Sequence, residues 1–254
     1  MSRAIWQELG ALTPARIGLG RTGSAQTTAE TLRFALAHAQ ARDAVHTPFD
    51  AALVAGEIAA LGLSTIIVES AAGSRQAYLL RPDLGRSLAL ESRDRLAALS
   101  GTQPDLAIVI GDGLSSHGVH AHAGAMLAAL LPHVAREGWS LGPVVIAHQA
   151  RVALGDEVGE VLGARIVLML IGERPGLSTP DSLGLYLTHA PRIGRNDGER
   201  NCISNVHGGG LSPEVAAFKA AWLMREALAR RLTGVALKDE SDGALGAEGR
   251  MPIG

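Results

Sequence analysis

Three short apolar runs constrain this chain more than any other feature: Asp105–Ile110 (DLAIVI), Val144–Ala147 (VVIA) and Ile166–Ile171 (IVLMLI). Each has strand length and is apolar at consecutive positions. A strand of that kind must be buried on both faces, as in a parallel sheet with helices packed on both sides. The intervening sequence agrees. An alanine-rich stretch running to Arg136 follows the first run, and Gly155–Leu162 lies between the second and third. The pattern predicts an α/β fold, a Rossmann-like parallel sheet with helices on both faces.

The remaining sequence supplies a smaller, mainly helical region before that sheet. Thr27–Val45 carries Leu32, Ala35, Leu36 and Ala39 at helical spacing, with Thr27 and Thr28 as caps and Glu30 in the first turn. Phe49–Leu61 reads as a second helix. Thr65–Glu69 and Gln76–Leu80 read as short strands of a small hairpin, ended by Arg81-Pro82-Asp83. Leu183–Thr188 is a further strand. Pro213–Leu232 is a helix capped by Ser212, with Pro213 at its first position and Glu214 in its first turn. From Lys238 the sequence loses periodicity and is expected to fray. The expected organisation is a helical region with a hairpin over 1–100, the Rossmann-like domain over 101–238, and a disordered tail over 239–254.

Composition narrows the function classes. The 254 residues are 47% hydrophobic, enough for a full core, and 23 basic and 25 acidic residues are interspersed to a net charge of −2. With aromatics at 3%, there is neither a basic footprint nor a set of stacking platforms for nucleic acid. The lone cysteine, Cys202, excludes an internal disulfide framework and suits a reducing cytosol. No apolar run approaches the roughly 18 to 20 residues of a membrane span, and Met1–Gly10 lacks a signal-peptide pattern. The expected location is cytoplasmic.

In an open α/β sheet, ligands bind beyond the carboxyl ends of the strands. The loops there are Gly111–Ser116 (GDGLSS), Ala147–Asp156 (AHQARVALGD) and Gly172–Ser178 (GERPGLS). Glycine and aspartate in one such loop need only make a turn. Three on one edge point to a binding crevice, and Glu173, directly after a buried strand and beside Arg174, can accept hydrogen bonds from ligand amides.

Three other constellations read as structural. Gly18, Gly20 and Gly23, with Asp43 further on, mimic a dinucleotide fingerprint, but residues 13–17 are too short and broken for the buried strand that motif requires. His117, His120 and His122 do not share one helix face, so no protein-held metal is expected. Cys202 and His207 are near in sequence, yet a thiolate nucleophile needs a base within hydrogen-bond reach; a thiol lining a site from a polar loop is the better reading.

Taken in order, ARIGLGRTG (15–23), YLLRPDLGR (78–86), VIGDGLS (109–115), ARVALGD (150–156), GERPGLS (172–178) and RNCISNVHGGG (200–210) make the chain resemble the small subunit of ethanolamine ammonia-lyase over residues 13–238. The resemblance implies a lyase of two subunit types, six copies of each, that converts ethanolamine to acetaldehyde and ammonia with adenosylcobalamin. The large subunit, a TIM barrel, would own the chemistry, with the cofactor at the interface. The small subunit would supply cobalamin contacts at Val152, Glu173 and Cys202, and no catalytic residue or metal ligand. Longer members carry an N-terminal extension associated with a bacterial microcompartment. This chain starts near the shared portion and adds a tail after Lys238, which leaves encapsulation open. The rival readings are a free-standing NAD(P)-dependent oxidoreductase, built on the glycine string, and a non-enzymatic Rossmann-like scaffold.

Overall fold

The apolar runs form the centre of one sheet. The computed structural model describes residues 3–13 and 15–247. In chain order its elements are α1 (Arg3–Ala11), β1 (Arg21–Thr22), β2 (Ala25–Gln26), α2 (Thr28–His46), α3 (Ala51–Ala60), β3 (Thr65–Glu69), α4 (Arg75–Leu80), α5 (Leu90–Ala97), β4 (Leu106–Gly111), α6 (Ser116–Glu137), β5 (Val144–His148), α7 (Leu154–Leu162), β6 (Ile166–Gly172), β7 (Leu183–His189), β8 (Asn201–Val206), α8 (Pro213–Arg230) and α9 (Ser241–Ala247). Short 3-10 turns connect several of them.

The six-stranded sheet has the order β3-β5-β4-β6-β7-β8. Its first four strands are parallel. Every residue of β4 and β6 is buried, as their unbroken apolar sequences require. Side chains alternate between two cores. Leu106, Ile108 and Ile110 pack with α3, α6 and α8 on one face, whereas Ala107 and Val109 pack with α5 and α7 on the other. Each large aliphatic side chain removed from water in this way contributes about 1.5–3 kcal/mol.

The helix boundaries follow their caps. The Thr27 side chain accepts from the Glu30 N–H ahead of α2, and Ser212 accepts from Val215 N–H ahead of α8, where Pro213 takes the first position. Both match the sequence reading.

Four expectations need correction. First, residues 65–69 pair residue for residue with β5 and extend the main sheet, so they form no separate hairpin. Second, residues 76–80 are helical: the Ser74 side chain accepts from Ala77 N–H and starts α4, which buries Tyr78. Third, the α/β class with helices on both faces of the sheet holds, but the sheet is mostly rather than wholly parallel, since β7 runs antiparallel to β6 and β8 antiparallel to β7. Cys202 therefore lies in an edge strand, not in a loop. Fourth, residues 241–247 are helical where fraying was expected, with Lys219 donating to Asp242 (2.6 Å) and to the Ser241 hydroxyl (3.1 Å). The rest of the expected tail, residues 248–254, lies outside the described residues.

The last two strands are covered unequally. Leu183, Leu185 and Leu187 of β7 belong to the core that includes α8, while Tyr186 turns toward the α7 side. There Tyr186 is only half-buried, and Cys202 and Ser204 of β8 are exposed. An open shelf results, at the sheet edge beyond α7.

Candidate functional site

The chain leaves β4 through α6 toward one face and leaves the adjacent β5 through α7 toward the other. Divergence of neighbouring connections opens a crevice at the carboxyl edge. A cavity of about 420 Å³ occupies it, lined by Gly113 and Leu114 after β4, Arg151 and Val152 before α7, residues 171–174 at the end of β6, and Tyr78 and Tyr186. The three strand-end loops singled out in the sequence thus converge on one cavity.

Backbone proximity shapes its floor. Gly113 has φ of +57°, and a Cβ there would lie 2.1 Å from the Gly172 carbonyl oxygen. Only glycine lets this loop lie flush on β6, where Leu114 N–H donates to the same oxygen at 3.0 Å.

Buried polar groups fix the second wall. Asp112, 2% exposed, accepts from Ala150 N–H at 2.9 Å and so ties the end of β4 to the turn after β5. Burial raises the Asp112 pKa, against the pull of the Ala150 N–H and of Arg75, whose guanidinium is 3.6 Å away. Arg75 also donates to the carbonyls of Gly113 (2.7 Å) and Val45 (2.8 Å). Arg75 and Arg151 both lie over the Tyr78 ring, with guanidinium carbons 4.8 and 4.4 Å from its centroid. Its hydroxyl donates to the Ala150 carbonyl at 3.2 Å, and burial pushes its pKa up to about 12. Arg151 donates to the Tyr78 carbonyl at 3.1 Å but makes no ion pair among the described residues, and its Nε is buried without a hydrogen-bond partner.

Glu173 forms the third wall. Its Oε2 accepts from the Ser182 hydroxyl (2.5 Å) and from Asn205 N–H (3.2 Å). The carboxylate lies against Gly184 of β7, where a Cβ would be 2.8 Å from Oε1. Oε1 receives no hydrogen bond from the described residues.

Val152 and Glu173 both line the cavity. Cys202 stands one strand further out and pairs with Tyr186 across β7 and β8. Although Cys202 is exposed, protein around its sulfur raises the thiol pKa; the Tyr186 hydroxyl pulls it back down, and the Glu173 charge raises it again. Burial, with Cys202 and Glu173 nearby, also holds the Tyr186 pKa above its usual value. His207 does not serve as a base for the thiol: its ring nitrogens contact Asn205 Oδ1 (2.9 Å) and Gly209 N–H (3.1 Å).

Sequence reasoning had not singled out Tyr78, Arg151 or Tyr186. The chain has only two tyrosines, and both line this cavity, so scarcity was the available signal. Gly18, Gly20 and Gly23 lie around the two-residue strands β1 and β2 and are exposed, with Trp6 of α1 packed on Gly18 and no buried strand before them among the described residues. Of the three neighbouring histidines, His120 accepts from Asp50 N–H at 3.0 Å and stacks on Phe49, while His122 faces Asp181 at 3.6 Å. Among the described residues no helix is long and apolar enough to cross a membrane.

Comparison with known proteins agrees with the motif order. The family model described as ethanolamine ammonia-lyase light chain (EutC) matches residues 3–238. The ethanolamine ammonia-lyase small subunit of Rhodopseudomonas palustris is 59% identical over 235 residues, covering 92% of this chain and 90% of that protein. The Xanthomonas campestris pv. campestris small subunit is 56% identical over 243 residues, covering 94% and 89%. That of Azotobacter vinelandii is 53% identical over 257 residues, covering 98% and 95%. With a family match across nearly its whole length and relatives this similar, the chain belongs to the ethanolamine ammonia-lyase light chain family.

Proposed function

We propose that this chain is the non-catalytic small subunit of an ethanolamine ammonia-lyase, and that its carboxyl-edge cavity holds part of adenosylcobalamin against a large TIM-barrel subunit. The assembly, six copies of each subunit in the cytoplasm, converts ethanolamine to acetaldehyde and ammonia. The observation that carries this reading is geometric: Val152 and Glu173 line one cavity, and Cys202 flanks it through its cross-strand partner Tyr186.

The residues fit the cofactor. Cobalamin is wide, fringed by amides, and carries a phosphate. Glu173 can accept from an amide N–H, and the Arg151 guanidinium, which makes no ion pair among the described residues, can meet an amide or phosphate oxygen. Val152 offers an apolar contact at the turn before α7, and the exposed shelf of β7 and β8 lets a broad ring lie flat. When bound, adenosylcobalamin supplies the radical that starts the reaction; these side chains bind and orient it and keep water from that side.

A 420 Å³ cavity is far too small to enclose such a ligand, which leaves the remainder for the large subunit to cover. The N-terminal segment supports a partner too. Leu9, Leu12, Ile17, Leu32, Phe34 and Leu36 are all exposed there, apolar surface that a partner would remove from water. The segment touches the cavity side where Arg16 donates to the Leu177 carbonyl at 3.3 Å.

The test is ethanolamine-dependent acetaldehyde release, with added adenosylcobalamin, from this chain alone and from the chain co-expressed with the large subunit of the same source. Activity in the pair only is the expected result. No activity in a well-formed pair would overturn the proposal.

A further inference from the structure

One ion pair among the described residues has both side chains almost wholly buried: Asp156 and Arg200, 3% and 2% exposed. Asp156 lies in the first turn of α7, four residues after Val152. Arg200 immediately precedes β8, two residues before Cys202. The pair therefore joins the helix that follows the Val152 turn to the strand that carries Cys202.

Arg200 is held on several sides. Its Nη2 donates to Asp156 Oδ2 and to the Arg195 carbonyl (2.8 Å), and its Nη1 donates to Asp197 (2.7 Å). The start of β8 is braced from the opposite side by Asn201, which donates to the Leu237 carbonyl (2.7 Å) and accepts from Gly234 N–H (2.8 Å). Arg200 supplies the tie toward α7.

Stability alone does not account for this arrangement. Burying two charges is costly, and their attraction repays the cost only where their remaining polar atoms are also satisfied. Here Arg200 Nε has no hydrogen-bond partner, and beyond Arg200 only the Thr188 hydroxyl stands near the Asp156 carboxylate, too poorly placed to satisfy Oδ1. An apolar pair of similar volume would glue β8 to α7 with less desolvation, but apolar contact is non-directional and leaves the two elements free to slide. A guanidinium on a carboxylate fixes direction and spacing.

We propose that the Asp156–Arg200 pair is a positioning clamp, holding the Val152 turn and the Cys202 strand at the separation at which both meet one corrinoid. This rests on the cofactor-binding reading given above. Neither residue touches the ligand; both act through the turn and the strand they join.

The test uses the co-expressed two-subunit complex and hydroxocobalamin as probe, followed by absorbance titration and by visible circular dichroism of the bound corrin. Asp156→Asn keeps the volume and removes the charge, while Arg200→Lys keeps the charge and removes the planar fork. Both variants are expected to assemble, to bind about tenfold or more weakly, as when the support behind a ligand contact is removed, and to show an altered corrin dichroism at saturation. A purely structural loss would lower the amount of complex and leave the dichroism of what remains unchanged, and that result overturns the proposal. So does unchanged affinity, or failure of both variants to assemble. Glu173→Ala, run in parallel, separates the two ideas: if it leaves affinity unchanged, the cofactor-binding reading itself fails; if it alone weakens binding, only the clamp does.

Discussion

Tyr186 and Cys202 face each other across β7 and β8, beyond the cover of α7, so the lone thiol of the chain sits exposed beside a tyrosine whose pKa is raised. The thiolate is the reactive form, and crowding at this edge raises the thiol pKa. Alkylation of the uncomplexed chain by iodoacetamide should therefore be slow at neutral pH and accelerate as pH rises. The Tyr186 hydroxyl lowers the thiol pKa, so Tyr186→Phe should raise it further and slow alkylation at neutral pH, where the thiolate is the minor form. Mass spectrometry of Cys202 against time and pH reads this directly. Faster alkylation in the Phe variant would contradict the assignment.

Gly113 and Gly138 separate a cavity-shaping glycine from an ordinary helix cap. Both have positive φ, +57° and +67°. A Cβ at Gly113 would strike the Gly172 carbonyl, whereas one at Gly138 would meet nothing within 4 Å. Gly138→Ala should cost about 1–2 kcal/mol, the left-handed strain alone. Gly113→Ala should cost about 2–4 kcal/mol, because strain and a backbone clash combine. Urea unfolding of the two variants checks the order, and equal costs would show that the cavity floor is looser than described.

Asp105 supplies a pH-dependent term at the start of β4. The Ser140 N–H (2.9 Å), then Arg165 (2.7 Å) and the Ser140 hydroxyl (2.8 Å), hold its pKa below the ordinary carboxylate value. A carboxylate depressed on folding stabilises the protein above its unfolded pKa, and that contribution disappears as pH falls through the folded value. The stability gap between wild type and Asp105→Asn should therefore shrink between about pH 5 and about pH 2. The raised carboxyls of Asp112 and Asp156 act with the opposite sign, but they are common to both proteins and cancel in the difference. A gap independent of pH would contradict the role of Asp105.

Legibility in the sequence tracked burial. β4, β5 and β6 were plain because a strand buried on both faces leaves an unbroken apolar run. β8 was missed for the converse reason: only Ile203 and Val206 are buried, and the polar residues between them lie on the uncovered shelf. In residues 76–80 the alternation of Tyr78 and Leu80 imitated a strand, although the serine cap at Ser74 was a readable helix signal. The strand-end loops disclosed the edge on which the cavity lies. Arg151 and the tyrosines did not stand out, because their arrangement depends on α4 packing under the turn after β5, a contact between residues some seventy positions apart. The assignment of Val152, Glu173 and Cys202 came from resemblance; the geometry that groups them came from the fold.

The most direct test of the central claim is equilibrium titration of the co-expressed two-subunit complex with hydroxocobalamin, comparing wild type with Glu173→Ala. Loss of a hydrogen bond to a charged acceptor, about 1.5–3 kcal/mol, predicts at least about tenfold weaker binding in a variant that assembles normally. Unchanged affinity in the assembled variant would contradict the claim that this cavity holds the cofactor.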